Sequence, residues 1–355
     1  MKKPAILILY GLPAPFLPNG APDIIGQESV LSRLFAVQEA LRSLDYPVQT
    51  LEARGELSTF LKKIRSARAD LIFNLCEEFL GRTRLEMNVA ALLELMDIPF
   101  TGSSALALGL SQDKGKTKSL LASHGIPTPA YRVWQPGMDG LLSDLQFPLI
   151  IKPLREDASL GIDNDAFILD EKTLKQQVRK IYQGYGQPAL VEEYIEGREL
   201  NVSILGNEDP QVLPISEIDF SSMPPGLPKI CGYAAKWVES SQEFAYTVPR
   251  CPTPLLPRIE RKVKKVSLAA YRIMECWDYA RVDIRLSPRG IPYVLEINAN
   301  PDISPDAGMT RSAITAGFTY PEFIGHIVEL SWSRSSFLRS RGRFPKRSRQ
   351  KEPHG

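Results

Sequence analysis

The hydrophobic residues of this chain change their rhythm near residue 125, and that change restricts the fold more than any other feature. Upstream, short apolar runs alternate with helical patterns. They read AILILY, a helix across Val30 to Leu44, VQTLEA, a helix near Leu57 to Ser66, DLIFNLC, a helix through Met87 to Met96, and the short strand PFTG. Strand and helix alternating at this spacing predict a parallel α/β layer, with ligands received at the carboxyl ends of the strands. Two prolines in GIPTPAYRVW break the pattern, and strands dominate after them: YRVW, PLIIKP, AFILD, ALVEEYI, RELNVSILG and QVLPISEI, with one helix from Glu171 to Tyr182. Beyond Glu196-Gly197 come a long helix (Leu255 to Cys276), the strand pair ARVDIRLS and IPYVLEINAN, and a last helix near Pro321 to Leu338. Antiparallel strands with helices on one face describe an α+β lobe. The expectation is an α/β domain over 1–125, a small central lobe over 126–196, an α+β lobe over 197–335, and a tail over 336–355.

A chain of 355 residues can bury the cores of two or three such lobes. Residues 334 to 352 carry eight Lys/Arg against one acid, so the net charge of +2 divides into a tail at +7 and a body at −5. The tail, rich in Ser and Pro, reads as disordered and solvated; its charge would suit nucleic acid or anionic lipid, but the acidic body argues against nucleic acid. Cys76, Cys231, Cys251 and Cys276 show no CxxC pair and no zinc spacing. The apolar run after Met1-Lys2-Lys3 is a first buried strand rather than a leader, and no stretch approaches the ~18 to 20 apolar residues of a membrane helix. A cytoplasmic location is expected, and a homodimer is compatible with all of this.

GLSQDKGKT looks like a phosphate loop, but Gly109 and Gly115 are one residue too far apart and the segment reads as helix throughout. The informative set lies later. Asp283 sits within ARVDIRL, and Glu296 and Asn298 lie two apart in YVLEIN, so period two puts the latter pair on one face of the sheet. A hairpin closed by Ser287-Pro288-Arg289-Gly290 would bring Asp283 beside them. Three hard oxygen ligands without His or Cys suit magnesium shared with phosphates, although the same residues also fit the outward face of a half-exposed strand. Lys152 ends the apolar strand PLIIKP, where a charge is poorly placed unless it meets an anion. The small-residue loop REDASLG follows it, and Glu192, Glu193 and Glu199 flank the turn at Gly197.

Taken together, LLELMDIPFTGSSALALGLSQDKGKTK, PLIIKPLREDASLGI, VEEYIEGRELNVSILG, YARVDIRLS and YVLEINANPDIS resemble the ATP-grasp superfamily, most closely the D-alanine–D-alanine ligase family, over roughly residues 5 to 332. The resemblance implies an ATP-grasp fold behind an N-terminal parallel α/β lobe. It implies that Lys114, Lys152 and Lys236 reach ATP phosphates under the loop containing Ser159. Glu192 would hold the adenine amino group, the backbone near Tyr194 and Ile195 would face the adenine, and Glu199 would bind the ribose. Asp283, Glu296 and Asn298 would hold Mg²⁺ (or Mn²⁺), Arg281 would steady the tetrahedral intermediate, and Glu28, in ExxLS, would take the first substrate's ammonium. The implied reaction joins a carboxylate to an amine, both on small molecules of the amino-acid type, through an acyl phosphate.

The departures from the family pattern lie where it recognises amino acids. Ala158 and Asp157 replace a serine and a glycine, Trp237 replaces a tyrosine, and NLCEEFLGRTR replaces a loop rich in histidine and glycine. NPDISPDAGMTRSA lacks the family's serine-leucine signature, and Asp302 stands where a glycine would help hold the oxyanion. Glu77, Glu78, Asp302, Asp306 and Arg311 are candidate specificity groups or solvated loop charges. An amine-bearing or cationic second substrate would suit the added carboxylates better than D-alanine. Two alternatives stand beside this ligase with altered substrates: a true D-alanine–D-alanine ligase, and an ATP-binding regulator without ligase activity.

Overall fold

A computed structural model describes residues 3–14, 24–138, 144–156, 159–238 and 240–340, without the side chains of 24–25 and 336–340. The N-terminal layer contains β1 (Ile6–Tyr10), α1 (Ile24–Ser43), β2 (Val48–Glu52), α2 (Leu57–Ser66), β3 (Leu71–Leu75), α3 (Glu86–Leu95), α4 (Ala105–Gln112) and α5 (Lys114–Ser123). Its sheet runs β2-β1-β3, all parallel, with Ile6 opposite both Val48 and Leu71. All five β3 residues are buried, as expected of a parallel strand covered on both faces.

Two local expectations change. PFTG forms no strand; Phe100 makes a single parallel bridge to Ile72, because Pro99 has no N–H to give and Gly102, at φ +87°, turns the chain away. The one long helix read across SSALALGLSQDK is two. Asp113, at φ −99° and ψ 92°, leaves the helical region, ends α4 and accepts from the Lys116 N–H as the N-cap of α5.

The central lobe holds β4 (Tyr131–Trp134), β5 (Leu149–Pro153), β6 (Phe167–Ile168), α6 (Glu171–Tyr185) and β7 (Ala189–Glu193) in an antiparallel sheet ordered β4-β7-β5-β6. Helix α6 begins at the Asp170 cap and ends at Gly186 in the left-handed region. It buries Leu174, Val178 and Ile181 on one stripe against Leu149, Ile151, Ala189 and Val191, which gives this lobe its own core.

The remaining elements are β8 (Arg198–Leu205), β9 (Gln211–Val212), β10 (Ser216–Asp219), α7 (Tyr233–Trp237), α8 (Gln242–Tyr246), β11 (Val248–Arg250), α9 (Pro257–Ile273), β12 (Tyr279–Leu286), β13 (Pro292–Asn298), α10 (Gly308–Thr315) and α11 (Tyr320–Ser340). The sheet order is β11-β10-β8-β12-β13, with β9 on β8. One core cluster contains Leu7, Leu9 and Ile72 together with Leu200, Val202 and Ile284, so the first layer and this sheet share a hydrophobic interior. No helix among the described residues is long and apolar enough to cross a membrane.

The basic run at the C-terminus divides differently from its composition. Residues 341–355 lie outside the described residues, but α11 continues to Ser340, past the start of the expected tail. Arg334, counted above with the solvated basic run, is 10% exposed and pairs at 2.9 Å with Asp278, which is 0% exposed. Its guanidinium also donates to the Phe100 carbonyl at 2.8 Å and lies 4.3 Å from the Trp277 ring centre. Asp278 keeps other donors, the Gly102 N–H and the Asn207 amide, each at 2.9 Å. Arg334→Met is expected to lower unfolding stability by about 3 kcal/mol, the low end for breaking a buried pair. A denaturant midpoint shifted down at unchanged slope is the expected reading, and wild-type stability would show the pair to be dispensable.

Candidate functional site

The site begins with one face of the C-terminal sheet. Strand β12 lies between β8 and β13, and the register sets Arg281 opposite Ser203 and Asn298, Asp283 opposite Asn201 and Glu296, and Arg285 opposite Glu199. Side chains of directly opposed residues share a face, so Glu199, Asn201, Arg281, Asp283, Arg285, Glu296 and Asn298 all project the same way. The pairing of β12 with β13 shifts between Asp283 and Ile284, a bulge at the acidic pair itself. Arg281 grips Asp283 with both prongs, at 2.7 and 2.8 Å, and the Asn201 amide donates to the same carboxylate at 2.8 Å. The Asn298 side-chain oxygen accepts from the Asn300 N–H at 3.0 Å.

Cations surround this face. Burial works to raise the Glu296 pKa, but the charges of Lys114, Lys152, Lys236 and Arg281 outweigh it and hold the group at about 2. The charges of these four cations, three of them assigned to phosphates by the sequence resemblance, all act on this one carboxylate. Lys114 is buried and donates to the Glu156 carbonyl, whereas Lys236, on α7, is exposed. Glu192, expected to face the adenine amino group, instead has both oxygens ion-paired, with Lys118 at 2.6 Å and Lys152 at 2.7 Å. All three groups are buried. Desolvation pushes the Glu192 carboxyl up, and the two ammonium groups more than reverse it, so it stays ionised below the ordinary carboxylate range. Lys118 also donates to the Thr128 hydroxyl at 2.9 Å.

Beside the turn at Gly197, Arg285 is 3% exposed. It lies 5.0 Å from the Tyr194 ring centre and 5.5 Å from that of Phe220, donates to the carbonyls of Gly197 (3.1 Å) and Lys229, and approaches Glu199 at 3.6 Å. Burial raises the Glu199 pKa, and Arg285 opposes the rise. Phe167 meets Tyr194 edge-on at 5.0 Å, the Tyr194 N–H is bound by the Pro148 carbonyl at 2.9 Å, and Ile195 follows half-buried. Ser159, at φ +61°, donates its hydroxyl to the Cys231 carbonyl at 2.9 Å.

The substrate-recognition candidates are less assembled. Glu28 is exposed on the first turns of α1, and its side chain makes no hydrogen bond or ion pair to a described residue. Glu77 and Asp302 are brought together by Arg33, and Glu78 is buried beside Glu77. Asp306 is exposed, and its carbonyl accepts from Arg311 at 2.9 Å. Trp237 ends α7, while Asp157 and Ala158 lie outside the described residues. Sequence reasoning missed Lys118, Arg285 and Arg33. Lys118 left a signal, since it lies four residues after Lys114 on a helix and so on the same buried face, with Lys116 exposed. Arg285 and Arg33 left none beyond a charge within an apolar pattern.

Residues 120–329 match the family described as the D-ala D-ala ligase C-terminus. The D-alanine–D-alanine ligase of Methylacidiphilum infernorum is 33% identical over 84% of this chain and 89% of its own length. This chain belongs to the D-alanine–D-alanine ligase family. It is an ATP-dependent ligase with the ATP-grasp fold, forming a carbon–nitrogen bond. The uncharacterized protein y4sG of Sinorhizobium fredii is 33% identical over 92% of this chain and 93% of that protein. The fold is shared with the D-alanine–D-alanine ligase of Bacillus anthracis crystallised with ATP, at a TM-score of 0.74 and 24% identity over 94% of this chain and 99% of that one. It is shared also with the VanG D-Ala:D-Ser ligase of Enterococcus faecalis, at 0.71 and 18% identity over 93% and 100%.

The Glu192 cluster generates a test within this family member. Glu192→Gln leaves two buried ammonium groups without their shared counter-charge, and about 3 to 5 kcal/mol of stability should be lost near neutral pH. The folded-state carboxyl titrates below its ordinary 4.5, so its contribution is present above that value and is lost as the pH falls below it. The gap between wild type and variant in urea titrations should therefore narrow below pH 4.5. A gap independent of pH would mean that the charge of Glu192 is not what the two lysines require.

Proposed function

We propose that this ligase activates a substrate carboxylate with ATP and joins it to an amine, and that its amino-acid substrates differ from the two D-alanines of the family's name. The observation carrying this reading is the ionised Glu296, beside Asp283 and Asn298, ringed by Lys114, Lys152, Lys236 and Arg281. A triphosphate laid across that face would meet the cations, while Glu199 takes the ribose and the chain at Tyr194 and Ile195 faces the adenine. The donor set fits Mg²⁺: Glu296 is a charged hard oxygen, Asp283 is opposite it, and Asn298 supplies a third oxygen two residues on. Bound there, the ion would supply neutralising charge to the phosphates.

In the first step a substrate carboxylate oxygen attacks the γ-phosphorus, the bond from that phosphorus to the β,γ-bridging oxygen breaks, and ADP leaves. Next the amine nitrogen attacks the acyl carbon, phosphate departs with the electron pair of the C–O bond, and the nitrogen gives up a proton. The lysines offset negative charge as the phosphoryl group moves, and Arg281, fixed by its two bonds to Asp283, steadies the oxyanion of the tetrahedral intermediate. We place the lobe hinge at 196–197, between β7 and β8, and the enzyme in the cytoplasm, working on free amino acids.

Glu296→Gln and Asn298→Ala should each abolish ADP release while leaving the circular dichroism spectrum unchanged. Wild-type turnover in either variant removes that residue from the phosphate site. D-alanine alone should be a poor substrate, because a site built around one polar group rejects ligands that leave it unpaired, by up to ~10⁴ to 10⁵-fold. Comparing kcat/KM for D-alanine with a panel of other D- and L-amino acids tests this. If D-alanine is the best of the panel, the family's own reaction should be assigned.

A further inference from the structure

Arg33, on α1, is a cation set behind the wall of the substrate end. Its side chain is 7% exposed, and it pairs with Glu77, just past β3, and at 3.4 Å with Asp302, just past β13. Those two carboxylates, in contrast, are 44% and 39% exposed. Among the described residues, only one oxygen of each is used. Glu77 is held through Oε1, and Asp302 through Oδ1, which accepts from Arg33, from the Ser304 N–H at 2.9 Å and from the Ser304 hydroxyl at 2.6 Å. No donor among the described residues reaches Glu77 Oε2 or Asp302 Oδ2. Two acids against one guanidinium leave the exposed pair net negative.

Polar atoms around the pair also lack partners. Arg33 Nε and the Tyr320 hydroxyl are both buried with no hydrogen-bond partner among the described residues, although an unmade bond of this kind is costly. The cluster borders the phosphate site, since Asp302 lies four residues past Asn298 and its charge reaches Arg281.

We infer that Glu77 and Asp302, oriented by Arg33, form a subsite for a second cationic group, an ammonium or guanidinium, on an amino-acid substrate. The inference rests on the ligase reading of the same cleft. Arg33 is the positioning residue: it holds one oxygen of each exposed carboxylate and leaves the other to an incoming donor. A basic side chain entering there would meet two charged acceptors, whereas an apolar side chain of equal length would leave both without a partner.

The test compares lysine with norleucine, which has the same length without the ammonium, each as D and L forms, in ADP-release assays with Mg-ATP. Calorimetric titrations with a non-hydrolysable ATP analogue present run in parallel. We expect lysine to exceed norleucine by about tenfold or more in kcat/KM and in affinity, the usual worth of a charged hydrogen bond. In Glu77→Gln and Asp302→Asn that lysine-to-norleucine ratio should fall about tenfold, through KM, with the ATP-induced thermal shift retained as the check of folding. The calorimetric arm needs no turnover, so absent ADP release with lysine still preferred would overturn the ligase reading but leave the subsite standing. Equal binding of lysine and norleucine by the wild-type protein, or an unchanged ratio in both variants, would overturn the subsite.

Discussion

Three parts of the chain are tied to the carboxylate of Glu192. Lys118 comes from α5, Lys152 from β5 and Glu192 from β7, and all three are buried. Taking three charges out of water costs several kcal/mol each, so the geometry is tolerated only because the groups compensate one another. From Lys118 the connection continues through the Thr128 hydroxyl, which donates at 2.8 Å to the carbonyl of Val294 on β13. The central lobe is thus linked by consecutive polar contacts to the strand that carries Glu296 and Asn298. Two ammonium groups against one carboxylate also leave a positive surplus beside the C-terminal sheet.

That surplus gives the sheet face its chemistry. A lone carboxylate as buried as Glu296 would be driven toward its neutral form, and here the surrounding lysines and Arg281 drive it the other way. Asp283 is stabilised differently, by the two-pronged Arg281 and the Asn201 amide. One carboxylate answers diffuse positive charge and its neighbour answers direct hydrogen bonds. Both arrangements depend on the register of β12 with β13, and a slip of one residue would send every one of these side chains to the opposite face.

This register is why so much of that sheet face was legible in the sequence. Period two in YVLEIN, together with the Ser287-Pro288-Arg289-Gly290 turn, sufficed to place Asp283 beside Glu296. The parallel first sheet followed from alternating patterns in the same way. What escaped were contacts that no local period encodes: Arg33 reaches Asp302 across 269 positions, and Arg334 reaches Asp278 across 56. The mistaken solvation of Arg334 came from composition, which cannot distinguish a basic residue in a tail from one on the last turns of a buried helix. Asp113 misled for a related reason, because a helix cap and a helix interior differ there only in one residue's backbone angles.

The two halves of the cleft also differ in how they are built. The half proposed for the nucleotide stands on strands β5, β7, β8, β12 and β13, where the register sets Arg285 opposite Glu199 and ion pairs tie Lys152 to Glu192 and Arg281 to Asp283. The amino-acid half stands on segments that leave strands, after β3 and after β13, joined by a single guanidinium from α1. Exchanging a residue in the first half disturbs a network in which several charges compensate one another, whereas the second can be re-sited by changing a few side chains at loop positions. That asymmetry would permit the proposed combination of kept phosphate chemistry and changed amino-acid recognition. On the proposed reading the same scaffold would keep its ligase chemistry while Glu77, Asp302 and Arg33 set the charge that an incoming amino acid must carry.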